Sequence, residues 1–389
     1  MGRGVGLKHM SSAAKVELVE PLSDRLLSID ALRGFDMFWI MGAEDIVREF
    51  ARWGNWPGRE WIEEQLDHAP WAGFHFYDLI FPLFLFLVGA VLPFSLGKLR
   101  ERGAPTSALY WRIFRRTLLL LVLGVFYNNY GHVAQLNDIH ELRLVGVLQR
   151  IGLCYFFAAL VVMNTRALGQ VLITLALLLG YWALLANVAP PGGVPPDYSK
   201  EGNLPGYVDA HWLPGKIPEQ YYGYGDNEGI LSTIPAVATA LLGVLAGNWL
   251  RTQRASSIKV LGLALAGAIC LATGTVWGES FPVIKNIWTS SFVLVAGGWS
   301  LLLLAIFYWI IDVLRFRAWT FFFVVIGVNA ITIYLLPHVV DFRKVVHFFF
   351  GALIDRAGSF QTVLEPIVVF AVEWLVLLYL YRKRLFIRV

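Results

Sequence analysis

Apolar stretches of about 18 residues or more recur along nearly the whole chain, each long enough to cross the hydrocarbon core of a bilayer as a helix. Short polar connections separate them. The pattern predicts an all-α, polytopic transmembrane bundle of about ten or eleven spans, ten of which fall near residues 26–47, 75–96, 109–127, 143–163, 167–187, 230–250, 258–277, 287–311, 319–340 and 364–382. Basic residues gather in alternate connections: Lys98, Arg100, Arg102, Arg112, Arg115 and Arg116, then Arg166, then Arg251, Arg254 and Lys259, then Arg315 and Arg317, and finally Arg382, Lys383 and Arg384. Lys/Arg-rich loops stay on the cytoplasmic side, so both termini are expected inside.

The opposite side receives the connections 48–74, 128–141, 188–229 and 341–363. The 188–229 segment is rich in Pro, Gly and aromatics, a composition that favours an ordered extracytoplasmic cap over a disordered linker. Residues 1–22 hold no apolar core and are expected to form a disordered cytoplasmic leader, leaving 23–389 as one transmembrane domain. Gly243 and Gly247 form a GxxxG that permits close helix packing within the sixth span.

Composition narrows the class. The chain is 57% hydrophobic and only 15% charged, against about 25% charged in soluble domains, with a mean hydropathy of +0.60. A formal charge of +4 does not point to nucleic acid, because the basic residues sit in short loops between apolar runs. Cys154 and Cys270 both lie inside apolar segments and no CxxC spacing occurs, so neither a metal nor a redox site is expected. GxxxxGK[ST], GxGxxG after a strand and HExxH are all absent, which argues against nucleotide hydrolysis, dinucleotide binding and zinc proteolysis.

What needs explaining is the polar groups that enter the apolar runs. The first span carries Asp30, Arg33, Asp36, Glu44 and Asp45, and the 66–90 stretch "LDHAPWAGFHFYDLIFPLFLFLVGA" opens with Asp67, His68, His75 and Asp78. Ionisable groups at such positions face a partner or a wet cavity. A neutral histidine is a natural proton acceptor near neutral pH, and a neighbouring carboxylate fixes its tautomer. Gln149 and Arg150 lie in mid-segment in "GVLQRIGLCYF", Lys285 and Asn286 open the eighth span, and Asn329 sits within the ninth. Arg150 cannot be discharged and needs an anion or an acid inside the bundle.

The segments "RLLSIDALRGFDMFWIMG", "DHAPWAGFHFYDLIFPLFLFLVG", "GVLQRIGLCYF", "DNEGILSTIPAVATALLGVLAG" and "FPVIKNIWTSSFVL" resemble, in order, motifs of the heparan-α-glucosaminide N-acetyltransferase family and its bacterial relatives. The resemblance spans roughly residues 25–340. It implies transfer of acetyl from cytoplasmic acetyl-CoA to the amine of a glucosamine on the other side of the membrane, with no metal. The family's catalytic histidine, in a His-Ala-x-Trp-x-Gly motif, corresponds to His68 of "HAPWAG". The family's asparagine near the end of the first helix falls on Glu44, a departure. The resemblance also implies a homodimer, and the missing match to the lysosomal member's extra luminal domain implies a bacterial inner-membrane homologue.

The expected roles follow. His68 acts as general base or transient acetyl carrier, supported by Glu44, Asp45 or Asp67; Arg33, Gln149, Arg150, Lys285 and Asn286 serve the coenzyme, Asn286 as an oxyanion donor; Trp71, His75, Asp78, Asn227 and Glu228 serve the acceptor. A secondary transporter of amino sugars or lipid-linked cell-wall precursors also places charges within spans, but no internal repeat is visible. A structural scaffold fits less well, since the polar groups cluster at one mouth.

Overall fold

A computed structural model describes residues 26–130, 139–218 and 225–386. The leader expected over 1–22 lies outside these residues. Among the described residues there are helices and two isolated β-bridges but no strand. In chain order the helices are α1 (Leu27–Phe38), α2 (Glu44–Trp53), α3 (Arg59–Leu66), α4 (Ile80–Glu101), α5 (Thr106–Asn129), α6 (Val147–Asn164), α7 (Ala167–Asn187), α8 (Leu204–Trp212), α9 (Thr233–Arg251), α10 (Ser256–Gly278), α11 (Ser290–Tyr308), α12 (Thr320–Val328), α13 (Ala330–Val339), α14 (Phe342–Asp355) and α15 (Gln361–Lys383).

Seven helical segments among the described residues are long and apolar enough to cross a membrane, and eight if α12 and α13 together form one bent span. This is fewer than the ten or eleven expected. The expected first and third spans exist as the α1–α2 unit and α5, but the first carries Asp30, Arg33, Asp36, Glu44 and Asp45 and the other Arg112, Arg115 and Arg116, so composition alone does not qualify them. The fold is that of an integral membrane protein.

Burial separates centre from rim: 67% of the apolar window is buried in both α4 and α9, against 17% in α10. The α4–α9 contact depends on glycine. A Cβ at Gly89 would overlap the Ala240 carbonyl oxygen, and one at Gly243 would overlap that of Phe86. The expected GxxxG therefore acts within the chain, drawing two backbones together. Gly34 and Gly327 do the same for α1 and α12, where a Cβ would meet the Phe323 and Asp30 carbonyl oxygens respectively.

Two helices are interrupted beside each other. A π-helical turn, Trp39–Ala43, joins α1 to α2 and contains Gly42 at φ 114°, a backbone that L side chains rarely adopt. Across from it, α12 and α13 meet at a 67° bend. Asn329, expected inside a continuous span, is the residue at that break; it is buried and its Nδ2 donates to the Val325 carbonyl at 2.9 Å, which meets one of the acceptors the interruption leaves. Residues from both interrupted pairs border the cavity described below.

Replacing Gly243 by leucine forces α9 off α4. Overpacking costs about 1–3 kcal/mol and more where the opposing atoms are backbone; we expect a lower unfolding temperature in detergent and a reduced monodisperse fraction, with Gly180→Leu, at a position with open space, as the tolerated control.

Candidate active site

The segment between α3 and α4 is folded around one carboxylate. Asp78 lies in the 3-10 turn Phe76–Leu79 that leads into α4, and only 1% of its side chain is exposed. Its Oδ2 accepts the backbone N–H groups of Ala69 at 3.1 Å and His75 at 3.0 Å, and its Oδ1 lies 2.9 Å from His68 Nδ1. The fourth partner comes from far along the chain: Lys285 Nζ is 3.4 Å from the same Oδ1. An antiparallel bridge between Ala72 and Ile284, and a bond from Gly73 N–H to the Val283 carbonyl at 2.8 Å, dock the histidine loop on the segment that carries Lys285. That segment is folded by Thr289, whose hydroxyl donates to the Pro282 carbonyl at 2.8 Å and accepts from Ile284 N–H at 3.0 Å.

This geometry selects a tautomer. With Nδ1–H donating to the carboxylate, the lone pair of a neutral His68 is on Nε2. Lys285 Nζ is 2.9 Å from Nδ1 and 3.2 Å from Nε2. An atom so nearly equidistant from both nitrogens would collide with Cε1 if it lay in the ring plane, so the ammonium sits over the ring face and leaves the in-plane lone pair open. Burial pushes the Lys285 ammonium below its ordinary value, and the Asp78 carboxylate opposes this.

His68, Tyr77, Asn227, Glu228, Lys285 and Trp288 border one end of a cavity of about 1080 Å³. Its middle is apolar, with Phe81, Phe84, Val88 and Met37 among its walls. The other end carries Arg33, Lys98, Arg112, Arg116, Arg382 and Arg384, and Asp30 is the carboxylate among the described residues lining that end. Asp78 and Lys98 are both on the Phe76–Glu101 span, so the two ends are roughly 30 Å apart along it at about 1.5 Å per residue.

Arginine clamps the histidine end from the side. Arg143 donates two bonds to Asp226, at 2.9 and 2.8 Å, and one to Glu228 at 2.8 Å. Asn129 holds the Arg143 backbone by a reciprocal pair of bonds, each 3.0 Å. Burial and the neighbouring Asp226 raise the Glu228 carboxyl to about 7, against the opposing charges of Arg150 and Arg143. The described parts of the 188–229 segment pack alongside: α8 is capped by Asn203, and Leu204 and Val208 bury against Tyr181, Phe281 and Ile284.

The structure redistributes the roles expected from the sequence. None of the three carboxylates expected beside His68 touches it: Asp45 pairs with Arg343 at 3.3 Å, Asp67 with Arg48 at 3.0 Å, and Glu44 bonds to Tyr77, whose ring lies 5.1 Å from the imidazole. Asp78, expected to face the acceptor, is the partner instead. His75 Nδ1 turns to the Asp67 carbonyl at 3.1 Å and Trp71 Nε1 to the Tyr198 carbonyl at 2.8 Å, so neither lines the cavity. Asn227 and Glu228 do line it.

Among the coenzyme candidates, Arg33 borders the cationic end and pairs with Asp30 at 3.7 Å, while the nearby Asp36 is fully buried and meets no hydrogen-bond donor among the described residues. Val147, Leu148 and Ile151 of α6 line the cavity, whereas Gln149, on the opposite face, and Arg150 do not. Arg150 bonds to Ser232 and to the Gly229 carbonyl, with its guanidinium 5.0 Å from the centre of the Trp288 ring. Lys285 belongs to the histidine end, and Asn286 is engaged by Asn227 at 2.8 Å behind it. Sequence reasoning missed Arg143, Arg112, Arg116 and Tyr77; the first three carried only their charge as a signal.

A membrane-embedded helical protein with a histidine–carboxylate–lysine cluster at one end of an internal cavity is the class that fold and site define. No protein-family model matches the chain. Heparan-α-glucosaminide N-acetyltransferase of Homo sapiens is 27% identical over 416 aligned positions, covering 94% of this chain, and its Mus musculus counterpart is 26% identical over 415 with the same coverage. The chain spans 60% of the length of these curated relatives. The two matches support its membership of the heparan-α-glucosaminide N-acetyltransferase family.

Arg143→Ala leaves two buried carboxylates without their cation, a change that costs about 3–5 kcal/mol. We expect a large fall in unfolding temperature, recovered only in part by Arg143→Lys, which lacks the planar fork. The folded Glu228 carboxyl keeps its proton to about pH 7 against an ordinary value of 4.5, so its contribution to stability falls as pH rises through that window. Thermal melts of Glu228→Gln should lack that component.

Proposed function

We propose that the chain is a transmembrane N-acetyltransferase, taking acetyl from acetyl-CoA on the cytoplasmic side and giving it to the amine of a glucosamine or glucosaminide on the other. The observation that carries this reading is the His68–Asp78 pair at one end of a passage whose opposite end is cationic. The names of the two relatives support the reaction class. The positive-inside pattern supports a reading in which the cationic end faces the cytoplasm and His68 lies beyond the bilayer core.

The chemistry follows from the side chains. Phosphates of the coenzyme are held at Arg33, Lys98, Arg112, Arg116, Arg382 and Arg384, and the apolar middle receives the pantetheine arm. Its thioester then reaches the histidine end. Glu228 and Asn227 face the acceptor there, and His68 Nε2 takes a proton from its ammonium. The freed amine attacks the thioester carbonyl, the C–N bond forms, the C–S bond breaks, the imidazolium proton passes to the departing sulfur, and the nitrogen releases its second proton to water. Oxyanion stabilisation falls to the Lys285 ammonium instead of Asn286, whose amide is already engaged. Asp78 holds the ring and stabilises its cationic form.

The interrupted α1–α2 and α12–α13 pairs beside the cavity favour a transporter, where interrupted helices surround the binding site. One assay separates the two. Purified protein in vesicles receives radiolabelled acetyl-CoA outside its cationic face and glucosamine at the other. Acetylated sugar is expected, with kcat reduced about 10²–10⁴-fold in His68→Ala; full activity in that variant would sink the reading, and movement of label without acetylation would favour transport. Asp78→Asn should lower kcat with little change in the KM for acetyl-CoA. Arg33→Ala and Arg116→Ala should raise that KM, most strongly at low ionic strength.

A further inference from the structure

We propose that Lys285 is itself an acetylation site: when no acceptor amine occupies the histidine end of the passage, its ε-nitrogen takes the acetyl group and becomes a stable amide that halts turnover. This rests on the acetyl-transfer reading above and extends it to the chain's own amine.

Geometry carries the argument. Lys285 Nζ lies 2.9 and 3.2 Å from the two nitrogens of His68, and both residues line the cavity. A thioester carbonyl within reach of an amine that has just given its proton to His68 is therefore also within reach of Nζ, and such proximity converts a slow bimolecular reaction into an effectively intramolecular one. Chemically the lysine offers what the acceptor offers, a primary amine. Among the described residues lining the cavity, Lys98 is the other lysine, and it lies at the cationic end with no histidine beside it. What protects Lys285 is its charge: Asp78, 3.4 Å away, favours the ammonium. Burial works against that protection, leaving more of the neutral amine than on a surface lysine.

The reaction balances without a further reagent. Once rotation of its flexible side chain carries Nζ from over the ring face to the Nε2 lone pair, the Lys285 ammonium passes one proton to neutral His68; its nitrogen attacks the carbonyl carbon; the C–N bond forms and the C–S bond breaks. One proton goes from the imidazolium to the thiolate, and the nitrogen releases the second to water, so an ammonium and a thioester become an amide, a thiol and one proton. The amide has no charge, so Asp78 loses a cationic partner and the oxyanion of any later transfer loses its stabiliser. An acceptor amine seated between His68 and Glu228 consumes the thioester first and spares the lysine.

The test uses the full chain in lipid nanodiscs with radiolabelled acetyl-CoA and no acceptor, followed by peptide mapping by mass spectrometry. We expect one acetyl group on Lys285 and none on Lys98, resistant to hydroxylamine, which strips acetyl from a histidine. Glucosamine should suppress the label, and His68→Ala should slow its appearance about 10²-fold. In Lys285→Arg the label at this position is lost. The inference is overturned if Lys285 stays unmodified while the same preparation acetylates glucosamine, or if Lys285 and Lys98 are labelled alike and independently of His68. Should the preparation neither acetylate glucosamine nor label Lys285, the acetyltransferase reading itself fails.

Discussion

Burying the Asp78 carboxylate is the constraint on which the site depends. An ionised acid removed from water is tolerated only when its lone pairs are met by donors, and leaving it unmet costs several kcal/mol. Four donors meet it here: two backbone N–H groups from the 69–75 turn, the imidazole of His68 and the ammonium of Lys285. They come from segments more than 200 residues apart in the chain, so satisfying one carboxylate also fixes the ring and the lysine against each other. The same contacts that make the acid tolerable inside the fold orient the base.

The helices were legible because lipid writes its requirement directly into composition: a run long enough to span must be apolar, and that survives any ignorance of packing. Where a span also carries a function the signal blurs. The α1–α2 unit and α5 supply Arg33, Arg112 and Arg116 to the cationic end, and those charges are why hydropathy alone leaves them in question. Asn329 shows the opposite blur, since a break in a helix keeps the apolar pattern on both sides and leaves almost no trace in it.

The site was legible in its centre and not in its wiring. His68 stood out as a titratable group at the mouth of an apolar run, but three carboxylates nearer to it in the imagined arrangement obscured Asp78, which the 3-10 turn swings back under the ring. Lys285 lies 217 residues from His68, and no pattern along one chain announces such a pairing. Arg150 illustrates a sound premise with another outcome. A permanently charged group in the bundle does need partners, and a hydroxyl, a carbonyl, an indole face and the nearby acids Asp209 and Glu228 supply part of that need, while Nε and Nη1 have no hydrogen-bond partner among the described residues.

The two ways in which this chain departs from regular helix packing lie in different places. Between α4 and α9, missing side chains let backbones touch, and volume is taken away from the interior. At the wall formed by α12 and α13, the main chain changes direction by 67°, and Gly327, Val328, Ala330 and Ile331 on either side of the bend line the cavity. Large side chains such as Tyr334 and Ile331 shape its lining, so ordinary substitutions there would retune the contour of the lumen without altering the bend itself.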